Sequence, residues 1–141
     1  FVLPKSQPLI YTGQEIGLNR RLEFFEKDSV KELVDLEYGK EYRDFYKKLT
    51  SFRHNNSVLA AGANVAPVVY VEDAPEAVLA FTRENEDNKV LCIFNFSAEP
   101  QTLTLTENAA GDYNCLCGEE RSYKAGDVVE LEPWAFMLLA K

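Results

Sequence analysis

The spacing of apolar residues changes near the middle of the chain. Before it, Tyr42, Phe45, Tyr46, Leu49 and Phe52 recur at helical intervals, with Lys47, Lys48 and Ser51 between them, which predicts a helix over 40–54. Glu41 in the first turn and Arg53 and His54 in the last suit the helix dipole, and Asn55, Asn56 and Ser57 stop the pattern. From about Val58 the period becomes alternating. Residues 68–71, 78–83, 89–97, 101–106, 113–117, 128–131 and 135–140 read as strands. Within 101–106 the alternation is strict, Leu103 and Leu105 pointing in and the threonines out. Asn85 to Asn88 form a polar turn, so 78–83 and 89–97 make a hairpin. Seven short strands with regular turns predict an antiparallel β-sandwich. The stretch 89–97 is apolar on both sides, with Val90, Cys92, Phe94 and Phe96 on one face and Leu91 and Ile93 on the other. Such a strand needs cover twice. The sandwich supplies one cover, and the helix over 40–54 is the candidate for the other.

The start of the chain reads differently. Residues 8–12 are a short apolar run after a proline, punctuated by Gly13 and Gly17, and read as a strand covered on both faces. Residues 18–39 are mixed and charged, with Arg20, Arg21, Glu23, Glu26, Lys27 and Asp28. They predict a long loop with a helical turn near 31–36, ended by Gly39.

Composition narrows the class. At 141 residues, 46% apolar and 27% charged, the chain is globular, one domain or a small domain with an appendage. Fifteen Lys+Arg against 23 Asp+Glu give a net charge of -8, which argues against a nucleic-acid partner. No stretch approaches the ~20 apolar residues of a bilayer span, so no membrane partner is expected. The chain shows no signal-peptide pattern and begins in mid-pattern at Phe1, and is expected to be a piece of something larger. The three cysteines, Cys92, Cys115 and Cys117, are an odd count and make no disulfide framework. Cys115 and Cys117 have Cys-x-Cys spacing, but a zinc site usually takes four ligands and His54 lies far away in sequence. The cysteines are expected to be buried or half-buried strand thiols.

Several motifs, in order along the chain, carry a resemblance. Pro8, Tyr11, Gly13, Glu15 and Gly17 fit Pro-x-x-Tyr-x-Gly-x-Glu-x-Gly. Phe45, Tyr46, Leu49, Arg53, Asn56 and Leu59 follow, then Gly62. Phe81 and Arg83 form a Phe-x-Arg, and Asn95, Phe96 and Ser97 an Asn-Phe-Ser. Pro133 and Trp134 precede the last apolar run. Together these resemble the end of the α-amylase family of glycoside hydrolases, glycoside hydrolase family 13: the eighth strand and last helix of a (β/α)8 barrel, then the C-terminal β-sandwich. The departures are Ser6 and Gln7, where the family often has a glycine, and the cysteines, which belong to no family pattern. The stretch from Asn19 to Phe25 resembles only one branch of amylases.

The resemblance implies a mainly β fold, with 1–57 as the end of the catalytic barrel (strand, loop, helix) and 58–141 as an all-β C-terminal domain. It implies a parent enzyme that hydrolyses α-glucosidic bonds of starch-type glucans with retention. A retaining mechanism needs a nucleophilic carboxylate and a carboxylic acid. In the family these, with a further aspartate, follow strands four, five and seven. They therefore lie before the motif at Pro8, and no catalytic, cofactor-binding or metal residue is assigned here. Calcium, common in the family, would belong to the parent upstream. The implied partners are the preceding barrel and, for the parent, an α-glucan. Compartment is open, with secretion or the periplasm compatible for the parent.

The tempting residues are read against this. Glu15 follows the barrel-strand motif and could pair with Glu23 or Glu26, but is expected to be a loop residue supporting the barrel rim. Arg20 and Arg21 could touch sugar hydroxyls in an intact enzyme, but read as a solvated loop. Tyr11 and Trp134 could stack on sugar, but are expected to pack, Tyr11 in the barrel and Trp134 in the core or a domain interface. Tyr70, Tyr113 and Tyr123 are scattered. Phe45 and Leu49 are expected near the sheet containing Leu91 and Ile93. The fragment then has a structural role, with a carbohydrate-binding module as the alternative. Deprived of neighbours, the run 8–12 is a template for joining another chain, which predicts a homodimer or aggregate through residues 1–39.

Overall fold

The computed structural model describes residues 1–23, 25, 30–62 and 65–141. Among them one α-helix, α1 (Lys40–Asn55), precedes eight strands: β1 (Val69–Tyr70), β2 (Val78–Glu84), β3 (Lys89–Asn95), β4 (Gln101–Thr104), β5 (Gly111–Cys115), β6 (Glu120–Tyr123), β7 (Val128–Leu131) and β8 (Phe136–Ala140). Short 3₁₀ turns stand at Gln14–Ile16, Lys31–Val34, Ser57–Leu59 and Glu107–Ala109. The expected helix and all seven expected strands of the second half are present with small shifts at their ends.

Six strands form one sheet in the order β1-β2-β3-β8-β5-β6, and β4 and β7 form a second. Every pair is antiparallel. Between the sheets lies the sandwich core. Val78, Ala80, Leu91, Ile93 and Leu139 of the large sheet meet Leu103, Leu105, Val129 and Leu131 from β4, β7 and their flank. Tyr113 closes the layer, and its hydroxyl donates to the Ala109 carbonyl at 3.1 Å. The β2–β3 turn is closed by Asn85, whose Oδ1 accepts from the Asp87 and Asn88 amides at 3.0 and 2.8 Å.

The alternate residues of the same strands build a second core. Phe81, Val90, Cys92 and Leu138 are buried against Leu49 and Phe52 of α1, Val58 and Leu59 just after it, and Val2. The two-sided β3 thus has its two covers. The helix lies over the Val90 and Cys92 face, on the opposite side of the sheet from Leu91 and Ile93. Phe45 is not buried there but 37% exposed, its ring edge-on to Phe136 at 5.9 Å.

Four expectations are corrected. Residues 8–12 form no strand: among the described residues no strand pairs with them, and Leu9 and Tyr11 are 75% and 66% exposed. Within this chain Tyr11 is thus not packed in a core. Trp134 is not core but 64% exposed, with a positive φ of 59°. Cys92 is buried and Cys115 half-buried, but Cys117 is exposed in the turn between β5 and β6. β6 was not expected: it is an edge strand, paired among the described residues only to β5, with three exposed polar residues before a half-buried Tyr123, and carries no apolar alternation.

Candidate functional site

The site most built from motif residues is the junction where α1 and the first residues meet the large sheet. Arg83, in the middle of β2, is fully buried. Its Nη1 donates to the Val2 carbonyl at 2.8 Å and its Nε to the Ala66 carbonyl at 3.2 Å. Its Nη2 is buried with no hydrogen-bond partner among the described residues. Burial lowers the Arg83 pKa, and the neighbouring Arg53 lowers it further. Arg53, at the end of α1, donates to the carbonyls of Phe1 and Ser6. Two arginines from separate elements thus hold the backbone of residues 1–6 on the outer face of the sheet. Arginine suits this because its planar fork reaches several carbonyls at once.

The end of the helix is fixed to the β2–β3 hairpin. Asn56 is buried and donates to the Phe52 carbonyl at 2.7 Å, closing the last turn of α1. The Ser57 amide donates to Asn88 Oδ1 at 2.8 Å, and the Asn85 side-chain amide donates to the Ser57 hydroxyl at 3.0 Å. At the other end of the helix, two glycines allow close approach. Gly39 has φ 63°, and a Cβ there would lie 2.2 Å from the Ile16 carbonyl oxygen. Gly17 has the same φ, and its Cβ would lie 2.5 Å from the Tyr42 ring. The turn carrying Ile16, itself buried, therefore sits directly on the start of α1. Gln14 Nε2 donates to the Tyr46 hydroxyl at 2.8 Å across that contact.

Asn95 closes the far end of β3. Its buried amide donates to the Glu99 and Glu132 carbonyls at 2.8 and 2.9 Å, while its Oδ1 accepts from the Ser97 amide at 3.0 Å. Arg83 and Asn95, from the Phe-x-Arg and Asn-Phe-Ser motifs, are therefore internal staples.

Beside the junction runs an apolar groove of about 480 Å³. Its floor is a ladder of rings, Phe94 on Phe96 at 5.8 Å and on Phe136 at 6.4 Å, with the buried Phe81 beneath Phe94 at 6.5 Å. Leu3, Phe45 and Trp134 form its walls. Phe96 is 60% exposed. Among the described residues the polar side-chain groups of the lining are the Asn95 amide, which is already engaged, and the Trp134 indole N–H.

The remaining tempting residues take local roles. Glu15 accepts from the Gly13 amide at 2.9 Å, so its carboxylate serves its own turn. Glu23 is exposed, and Glu26 lies outside the described residues. Arg20 pairs with Glu32 at 2.9 Å, and that hydrogen bond raises the arginine pKa and lowers the carboxylate's. Arg21 is exposed. Tyr70 is exposed on the edge strand β1, Tyr113 is in the sandwich core, and Tyr123 packs against it at 6.5 Å. Sequence reasoning missed the clamp made by Arg53 and Arg83; the signal was an arginine inside the apolar alternation of β2. Among the described residues no three His, Cys, Asp or Glu side chains gather as a metal site.

Residues 68–138 match a family model described as the maltogenic amylase C-terminal domain. The α-amylase MalA of Haloarcula japonica is 30% identical over 141 aligned positions, taking in 94% of this chain and 20% of that protein. The chain thus spans about a fifth of the length of this relative. The crystal structure of AmyP in complex with maltose superposes with a TM-score of 0.59 at 18% identity, over 74% of this chain and 21% of that one. A trehalulose synthase variant, MutB, in complex with Tris gives a TM-score of 0.51 at 25% identity, over 80% of this chain and 20% of that one.

Proposed function

The chain belongs to the maltogenic amylase C-terminal domain family, and from that premise we propose that it closes and stabilises the catalytic barrel of an α-glucan-cleaving glycoside hydrolase. It is the C-terminal part of an α-amylase-like enzyme of glycoside hydrolase family 13. The whole enzyme hydrolyses α-glucosidic bonds by a retaining mechanism. Its carboxylates, and any calcium, come from the barrel preceding residue 8. This part supplies no reacting group.

The observation that carries the structural role is the second core. Leu49, Phe52, Val58 and Leu59, from the helix and its exit, are buried on the outer face of the sheet. A helix that belongs to the barrel in motif order is thereby built into the sandwich, so the two units share one hydrophobic core. The apolar groove continues that surface, and the barrel is the partner proposed to lie along it.

The cluster of Phe96, Phe136 and Trp134 favours a second reading, a carbohydrate-binding module. Aromatic faces can bind pyranose rings, but sugar hydroxyls also need polar groups nearby. Among the described residues the groove offers only the Trp134 indole N–H and Asn95, whose amide is engaged, which favours an apolar protein surface instead.

A reducing-sugar assay on starch tests the first reading: the chain alone shows no turnover above a blank. Turnover that survives repurification overturns it. Calorimetry with maltoheptaose separates the second: the structural reading gives no binding tighter than roughly 100 μM, about -5.5 kcal/mol. Tighter binding lost on Trp134→Ala establishes the module.

A further inference from the structure

The cysteines of the β5–β6 turn have no part in the junction, yet they are brought together. Cys115 is the last residue of β5 and Cys117 stands in the turn that follows. The turn is tightly fixed by its backbone. The Cys115 amide donates to the Glu119 carbonyl at 2.7 Å, the Gly118 amide to the Cys115 carbonyl at 2.8 Å, and the Leu116 amide to the Leu138 carbonyl at 2.8 Å. Leu116 is thereby anchored on β8, and its two neighbours, Cys115 and Cys117, flank it in one tight turn and line one cleft.

The surroundings differ for the two sulfurs. Cys117 is exposed, and Cys115 is half-buried. Both line an open cleft of about 620 Å³, with Lys48 of α1 and Arg121 of β6 on its walls. The hydrogen bond from Cys115 lowers the Cys117 pKa, helped by a backbone hydrogen bond at Glu119. Burial, then the bond to Cys117, raises that of Cys115. An accessible sulfur shifted toward the thiolate, beside a half-buried sulfur shifted the other way in the same turn and cleft, is the arrangement of an attacking and a resolving thiol. Cys92 is a contrast within the chain: burial pushes its thiol up to about 12 and no solvent reaches it.

We propose that Cys115 and Cys117 form a reversibly oxidisable dithiol, with a small-molecule disulfide as oxidant. The Cys117 thiolate attacks one sulfur of that disulfide, forming a mixed disulfide and expelling the other half as a thiolate, which takes a proton from solvent. Cys115 then loses its proton to solvent and attacks the Cys117 sulfur, expelling the second half as a thiolate, which is protonated in turn. The protein is oxidised by two electrons and the small disulfide is reduced to two thiols. Exposed disulfides that close short loops are among the readily reduced ones, so dithiothreitol reverses the change.

The test treats the full chain with oxidised glutathione near neutral pH, blocks remaining thiols with iodoacetamide, and maps the cysteines by mass spectrometry. The digestion must cut between Cys92 and Cys115. In the wild type, the fragment with both turn cysteines loses two hydrogens and takes no label, and dithiothreitol restores labelling. Cys115→Ser keeps glutathione on Cys117. Cys117→Ser stays a free thiol at Cys115. The proposal is wrong if the wild type stays a dithiol, if it keeps glutathione on Cys117 without closure, or if Cys115 reacts equally well in Cys117→Ser. Circular dichroism of each variant establishes that it is folded before the comparison is made.

Discussion

β3 and residues 8–12 are both short apolar runs, and they meet opposite fates. β3 pairs along its length with β2 and β8, and each of its faces is packed. Residues 8–12 pair with no strand among the described residues, and Leu9 lies 75% in solvent. Apolar side chains alone do not make a strand; the backbone must also find partners for its amides and carbonyls. In β3 those partners are supplied by residues within this chain. For residues 8–12, by family analogy, they would be supplied by neighbouring barrel strands.

The comparison predicts where substitutions hurt. Phe52, buried under β2 and β3, is the most costly to remove: Phe52→Ala destabilises by roughly 3–5 kcal/mol. Against a domain stability of ~5–15 kcal/mol, thermal unfolding shows this as a large fall in Tm. Phe45→Ala, at a position one-third exposed, lowers it far less. Equal effects would mean that Phe52 is no more central to the outer core than Phe45.

Asn95→Ala comes next. It leaves the Glu99 and Glu132 carbonyls and the Ser97 amide without their partner, at about 1–3 kcal/mol. Urea unfolding measures it, and Asn95→Asp does not rescue, because a carboxylate cannot donate to those carbonyls.

Gly39→Ala is smaller and local. A left-handed φ costs a side chain about 1–2 kcal/mol, and the new Cβ meets the Ile16 carbonyl. The expected outcome is a modest fall in Tm together with faster proteolysis within residues 1–39, since the turn at Ile16 must lift from the helix.

Leu9→Ser and Tyr11→Ser have the smallest effect on unfolding, within ~0.5 kcal/mol, as for exposed positions generally. They sharpen the comparison in another way. The exposed run 8–12 is the proposed surface for self-association. Light scattering of the wild-type chain then gives a dimer or larger species that the double variant dissolves. A wild-type monomer at the same concentration removes the self-association proposal.

What the sequence revealed and what it hid follow one rule. The helix, the two-sided strand at 89–95 and the hairpin at Asn85 were legible because each advertises itself by periodicity or by turn chemistry. β6 was hidden because an edge strand exposes its side chains and needs only one neighbour's backbone. The strand read into residues 8–12 failed because apolar content does not reveal whether a partner strand is present. Trp134 read as core or domain-interface packing; it is not core, since its left-handed φ turns it out beside Phe96. The clamp at Arg53 and Arg83 was half legible: both arginines stood in motifs, but the carbonyls they hold lie 47 and 81 positions away in sequence.

The central claim is that α1 shares a hydrophobic core with the outer face of the large sheet and is not a tail carried beside it. Hydrogen exchange followed by mass spectrometry on the full chain tests it most directly, because amides in one cooperative unit open with one free energy. The account predicts that peptides from 46–55 in α1 are protected to the same extent as those from β3, while peptides from 6–12 exchange at once. Exchange of 46–55 at the rate of residues 6–12, with β3 still protected, would contradict it.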